Sequence, residues 1–153
     1  MTLTLLPDLS VSRETMDSLH SFSDELIKWT KRINLIAPST ADDVWNRHII
    51  DSAQIWLLKG QPSTHWCDIG SGGGLPGLVL ALLSKGEGAP TEFTFIESDK
   101  RKCAFLTTMS AKFDLKVKVL PQRIEQADPA NSDVLTARAL APLSKLLELA
   151  MRH

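Results

Sequence analysis

The stretch Asp68-Ile69-Gly70-Ser71-Gly72-Gly73-Gly74-Leu75-Pro76-Gly77 restricts what this chain can fold into more than any other part of it. A short apolar run, Trp66-Cys67-Asp68-Ile69, leads in, and a second, from Leu78 to Leu83, follows. Strand, glycine turn and helix in that order form the first unit of a doubly wound nucleotide-binding fold. Gly72-Gly73-Gly74-Leu75-Pro76-Gly77 satisfies G-x-G-x-x-G. A dinucleotide is therefore one candidate ligand, because free N–H groups and the helix dipole favour a pyrophosphate at the helix N-terminus. Asp68 fits that ligand poorly, since a carboxylate near phosphates adds about 1 kcal/mol or more of like-charge repulsion. The same carboxylate suits S-adenosylmethionine, which carries an amine and a sulfonium and no phosphate. The glycines then leave room for its methionine portion. On this reading Asp68, Gly70, Ser71, Gly72, Gly74 and Leu75 face the cofactor. Glu97, ending a second strand, accepts hydrogen bonds from ribose hydroxyls, a role that serves either nucleotide. A purely structural glycine turn is the third reading.

Around this turn the pattern alternates. Strands are expected at His65–Ile69, Glu92–Glu97, Lys116–Leu120 and Asp133–Arg138, with helices at Pro76–Lys85, Lys100–Phe113 and Pro142–Arg152. That order predicts an α/β fold with a parallel sheet and right-handed crossovers. Upstream, Met16, Leu19, Phe22, Leu26 and Ile33 recur at helical spacing, which predicts an amphipathic helix from about Ser12 to Asn34, capped by Ser10 or Ser12. A second helix is expected from Ser39 through Ile49. Residues 1–60 thus read as a helical N-terminal segment, closed by Lys59-Gly60-Gln61-Pro62-Ser63, and residues 61–153 as the nucleotide-binding domain. The chain stops on a helix after the fourth strand, so the strands beyond the switch point are expected to be missing, as in a truncated piece of a longer protein. The fourth strand would then be an exposed edge.

The formal net charge of −1 over 153 residues sets up no global field for nucleic acid. Lys100, Arg101, Lys102, Lys112, Lys116 and Lys118 nevertheless fall close together, as a solvated helix face or a phosphate-contacting patch. Lys28, Lys31 and Arg32 allow the same two readings. Cys67 and Cys103 are expected to be buried free thiols, with no metal-ligand spacing. No apolar run reaches the roughly 18 residues of a membrane span, and the first residues carry no signal-peptide pattern. A cytoplasmic setting is expected. Trp29, Trp45 and Trp56 read as core, with base stacking as the alternative.

With these residues in place, the chain resembles the RsmG (GidB) family of bacterial 16S ribosomal RNA guanine-N7 methyltransferases. The similarity extends beyond the glycine turn. It includes Asn34-Leu35, Arg47-His48-Ile49-Ile50-Asp51-Ser52, Glu97-Ser98 with Lys100-Arg101 and Phe105-Leu106, Gln122-Arg123-Ile124-Glu125, and Thr136-Ala137-Arg138-Ala139-Leu140-Ala141-Pro142-Leu143. The resemblance implies a Rossmann-like methyltransferase domain behind a small helical segment, with S-adenosylmethionine as cofactor. It implies cofactor contacts at Gly70 and Leu75, Ile124 and Glu125 beside the adenine, and Arg138 facing the methyl-transfer site, as its catalytic residue and as a further cofactor-binding residue. Glu97 departs from the aspartate common in the family. The implied partner is 16S ribosomal RNA in the small subunit, with no membrane and no obligate protein partner. Family members continue further at the C-terminus, which leaves the activity of a shorter piece open. Arg138 otherwise makes a structural ion pair, and His48 either bonds Asp51 or the glycine loop or touches ligand. A nicotinamide-dependent oxidoreductase and a non-catalytic cofactor- or RNA-binding fragment are the alternative functions.

Overall fold

The computed structural model describes residues 1–60, 63–89, 91–138 and 140–153. Gln61 and Pro62 of the expected break, Pro90 of the loop after the first βα unit, and Ala139 of the Thr136–Leu143 stretch lie outside the described residues.

Four parallel strands form the central sheet: β3 (His65–Ile69), β4 (Glu92–Ile96), β5 (Val117–Leu120) and β6 (Val134–Ala137), in the spatial order β5-β4-β3-β6. Each expected strand is present, with ends moved by no more than a residue. Asp68 lies in register with Phe95 on one side and Thr136 on the other. The chain runs outward from β3 through β4 to β5 and then returns to the other side of β3 as β6. That reversal makes the β3/β6 boundary the topological switch point, outside whose carboxyl ends ligands bind in such sheets.

Helices α1 (Arg13–Thr30), α3 (Gly77–Gly86) and α4 (Lys100–Lys112) cover one face. Leu78 to Leu83 are all buried. A helix apolar all round has to be enclosed, and α3 is the buried middle layer. Leu19, Phe22, Leu26, Phe93, Phe95 and Phe105 complete that core. A smaller core on the other face joins Cys67, Ile69, Ile96, Ile124 and Ala127 to Leu149 of α5 (Leu143–Ala150). Both cysteines are buried and free.

The caps explain the helix starts. Ser12 accepts from the Thr15 N–H at 3.1 Å, settling the choice between Ser10 and Ser12. Asp99 accepts from the Arg101 and Lys102 N–H groups at the start of α4. Two features of the N-terminal part differ from the sequence reading. Thr2–Leu6 (β1) and Leu9–Ser12 (β2) form an antiparallel hairpin ahead of α1. The expected helix from Ser39 is instead a succession of short pieces: a 3₁₀ turn at Pro38–Asp43, a π-helical turn at Trp45–Ile50, α2 (Asp51–Ala53) and a second 3₁₀ turn at Gln54–Leu58. No side chain caps the turn that begins at Pro38.

The tryptophans belong to the framework. Trp56 is buried and donates to Glu87, Trp29 packs edge-on against Phe105, and Trp45 stacks on His20. Among the described residues, no helix is long and apolar enough to cross a membrane.

Candidate functional site

The carboxyl ends of β3, β4 and β6 open into a crevice of about 690 Å³, within the range of small-molecule sites. Its floor is the turn between β3 and α3. The Gly70 N–H donates to the Ile96 carbonyl at 2.8 Å, and the Gly74 N–H to the Ser71 carbonyl at 2.8 Å. Two glycines have distinct physical reasons. Gly72 has φ +53°, and a Cβ there would have no protein atom nearer than 3.8 Å. The empty volume above it belongs to the crevice, so a side chain would intrude on a ligand passing close to the backbone. Gly74, at φ +77°, lacks room altogether, since a Cβ would stand 2.3 Å from Leu78 Cδ1 and 3.0 Å from Leu78 Cβ.

Glu97 binds the turn to β4. The Gly72 N–H donates to its Oε2 at 2.8 Å and the Asp99 N–H to its Oε1 at 2.9 Å. A carboxylate has about four acceptor positions, so these two donors leave capacity for more. Ile124 and Glu125 line the same crevice.

Gly70, Ser71, Gly72, Leu75, Glu97, Ile124, Glu125 and Arg138 therefore share one crevice. Ser71 turns its hydroxyl to the Asp68 carbonyl at 2.9 Å and offers the crevice only backbone. Gly74 does not line it, and its part is to keep the turn tight.

Asp68 does not line the crevice either. Its side chain is buried beneath the turn, where Thr136 Oγ1 donates to Oδ1 at 2.6 Å and Oδ2 faces Gly77. This location removes the electrostatic reason for preferring a sulfonium over a dinucleotide, because the carboxylate lies away from the ligand space. Burial pushes its carboxyl up to about 6, opposed chiefly by the Thr136 hydroxyl. A carboxyl with a raised pKa in the folded chain holds its proton there while the unfolded chain has lost it, so stability falls as pH rises through that interval. Asp68→Asn removes this dependence. Its stability relative to the native chain is expected to improve steadily from about pH 4 to about pH 6 and then level off, measured by urea denaturation across that range. An unchanging difference would contradict the buried location.

The remaining wall joins β6 to the N-terminal part. Arg138 Nη2 donates to the Arg47 carbonyl at 3.2 Å and lies 3.7 Å from Asp51 Oδ2. Asp51 is largely exposed, so that ion pair contributes little. Arg138 Nη1 is buried with no partner among the described residues. His48 sits in the π-helical turn, buried, and its partner is Thr40 at 2.7 Å rather than Asp51 or the glycine loop.

The sequence reading named Leu35 only as part of a family signature and missed Ile36 and Thr40, which wall the crevice with it from the N-terminal side, and Lys145 of α5. Lys102 belonged to the expected basic stretch and is the member of it that reaches the crevice, while Lys100, Arg101, Lys112, Lys116 and Lys118 are exposed. Nothing in local spacing marks Thr40.

A parallel sheet with this strand order and a glycine turn at its switch point defines a Rossmann-like methyltransferase fold. Solved structures agree on the architecture. An S-adenosylmethionine-dependent methyltransferase from Aquifex aeolicus superposes with a TM-score of 0.54 at 19% identity, covering 85% of this chain and 65% of that one. The branched-chain polyamine synthase from Thermus thermophilus superposes at 0.56 and 15% identity, covering 86% and 38%. The chain belongs to the GidB family, rRNA small subunit methyltransferase G, whose model matches residues 15–153. Relatives named ribosomal RNA small subunit methyltransferase G include one from Jannaschia sp., 50% identical over 94% of this chain and 68% of its own length. Another, from Paramagnetospirillum magneticum, is 47% identical over 97% and 70%.

Proposed function

We propose that this chain transfers a methyl group from S-adenosylmethionine to N7 of a guanine in 16S ribosomal RNA of the small subunit. One observation carries the reading: Gly72, Glu97, Ile124, Glu125 and Arg138 converge on a single crevice at the switch point of a chain from this family. The open space above Gly72 and the free acceptor positions of Glu97 fit an adenosine-bearing cofactor. The backbone of Gly70, Ser71 and Gly72 and the side chain of Leu75 would hold its methionine end, Glu97 its ribose, and Ile124 with Glu125 its adenine. Asp68 and Gly74 would act from below by shaping the turn.

When bound, the cofactor supplies an electrophilic methyl carbon on a positive sulfur. Guanine N7 carries a lone pair and no proton, so no side chain has to serve as a general base. The residues instead hold the base in line, and such positioning accounts for most of the rate in a reaction of this kind. Arg138 orients the base at the end of β6. Lys102, Arg123 and Lys145 at the rim would meet RNA phosphates. We read residues 1–60 as a segment packed on the methyltransferase domain of 61–153. We read the enzyme as cytoplasmic, where such an RNA substrate is found, and as acting without an obligate protein partner.

The test is transfer of labelled methyl from S-adenosylmethionine to small subunits lacking the modification. Label in 16S RNA is expected. An unlabelled RNA, together with thermal stabilisation by NAD(H) and not by S-adenosylhomocysteine, would overturn the proposal in favour of an oxidoreductase.

A further inference from the structure

Ile124 and Glu125 line the crevice from a segment with no regular structure of its own. Among the described residues, 121–133 join β5 to β6 and form neither helix nor strand. Within that segment the Gln126 and Ala127 N–H groups donate to the Arg123 carbonyl at 3.0 Å. The carbonyls of Ile124 and Ala127 have to be met from elsewhere, since buried main-chain groups rarely go unpaired.

Both are met by the two residues just beyond the last turn of α5. Arg152 Nε and Nη2 donate to the Ala127 carbonyl at 3.0 and 2.8 Å. His153 Nε2 lies 2.9 Å from the Ile124 carbonyl, and the contact is buried. A carbonyl can only accept, so Nε2 carries a hydrogen and donates it. In the other direction, the Ser132 N–H and hydroxyl both donate to the main-chain oxygen of His153 at 2.9 Å. Packing follows the same path, because Leu149 of α5 shares the smaller core with Ile124 and Ala127. The irregular segment is thus tied to α5 at Ile124, at Ala127 and at Ser132.

We infer that Arg152 and His153 are positioning residues for the cofactor's adenine, holding Ile124 and Glu125 where the base meets them. This rests on the cofactor reading above and adds the residues that keep its adenine side in place. Neither Arg152 nor His153 lines the crevice, so both act through the main chain of the segment. Without them the segment would have to be ordered as adenine binds, and that entropy would be subtracted from the affinity. Adenine is remote from the transferred methyl group. The binding lost is therefore shared by ground state and transition state, which raises KM and leaves kcat unchanged. A merely structural tie between α5 and the segment would instead weaken every ligand of the crevice alike.

The experiment compares S-adenosylhomocysteine with S-ribosylhomocysteine, the same molecule without its adenine, by displacement of labelled S-adenosylmethionine from the full chain. His153→Leu is expected to weaken S-adenosylhomocysteine about tenfold, the loss of a buried hydrogen bond, and to leave S-ribosylhomocysteine unchanged. His153→Gln returns a side-chain N–H donor and should restore most of that affinity. Arg152→Ala, at an exposed residue, should act in the same direction and serves if His153→Leu does not fold. In methyl transfer, KM for S-adenosylmethionine should rise by the same factor while kcat at saturating cofactor stays at the native value. Equal weakening of both ligands, or unchanged S-adenosylhomocysteine affinity in both His153→Leu and Arg152→Ala, overturns the proposal. So does a lowered kcat with KM unchanged. A native chain that binds the two ligands equally, or binds neither, fails the underlying cofactor reading instead, a separate outcome.

Discussion

Replacing Arg138 with alanine is expected to lower kcat/KM for methyl transfer about a hundredfold, the usual consequence of misplacing a reacting group by about 1 Å. The magnitude follows from what the side chain holds. Nη2 fixes the Arg47 carbonyl and so the turn that carries His48, while Nη1 is buried with no partner among the described residues. Truncation removes both functions at once. Lysine keeps the charge but has neither the planar fork nor a second nitrogen, so Arg138→Lys should recover only a small part of the loss. Global stability should change little, because the ion pair that Arg138 makes among the described residues is to a largely exposed carboxylate, Asp51, and is screened. Steady-state kinetics with parallel urea denaturation separates the two effects. A loss of activity matched by a loss of stability would mean that Arg138 is merely a structural link.

Gly74→Ala should have the largest effect on the fold of any single methyl addition in the glycine turn. Two costs add. A non-glycine residue at φ +77° pays roughly 1–2 kcal/mol of backbone strain. The new Cβ would also stand 2.3–3.0 Å from three atoms of Leu78, a fully buried side chain whose own Cβ is among them. Rotating the end of Leu78 away cannot relieve all of that, and overpacking of this kind costs about 1–3 kcal/mol. A total of about 2–5 kcal/mol is expected by urea denaturation. Gly60→Ala serves as the control, since nothing lies within 4 Å of its added Cβ, and it should fall within about 0.5 kcal/mol of the native chain. Equal effects at the two positions would contradict the turn geometry.

Much of the fold was readable from local pattern. The strands announce themselves because each is a short apolar run bounded by glycine, proline or charge, and α3 because Leu78 to Leu83 has no polar face. The hairpin at Thr2–Ser12 left a signal that was passed over: threonine or serine alternates with leucine or valine on either side of Pro7-Asp8. The broken helix after Pro38 could not be read, since Val44, His48 and Ile49 keep helical spacing while the backbone switches between 3₁₀ and π turns. That switch is what sets His48 against Thr40, eight residues earlier, a separation no regular helix brings together.

The site divides in the same way. Residues that follow a strand end, such as Gly70, Glu97 and Arg138, reach the crevice because strand polarity puts them there. Asp68 was misplaced because residue 68 looks like part of the ligand turn until β6 is set beside it. Thr136 then claims its carboxylate, at a sequence distance of 68 residues. Its electrostatic case for the cofactor is thereby lost, and the case now rests on the family to which the chain belongs, with which the open space above Gly72 agrees.

The most direct measurement of the central claim is chemical. Purified chain, S-adenosylmethionine and unmodified small subunits are incubated together, and the extracted 16S RNA is reduced with borohydride and treated with aniline, which cleaves at N7-methylguanine. The account predicts scission at one new position that is absent when the cofactor is withheld or when Gly72→Val fills the cradle. Methyl incorporation without scission, or scission undiminished in Gly72→Val, would contradict it.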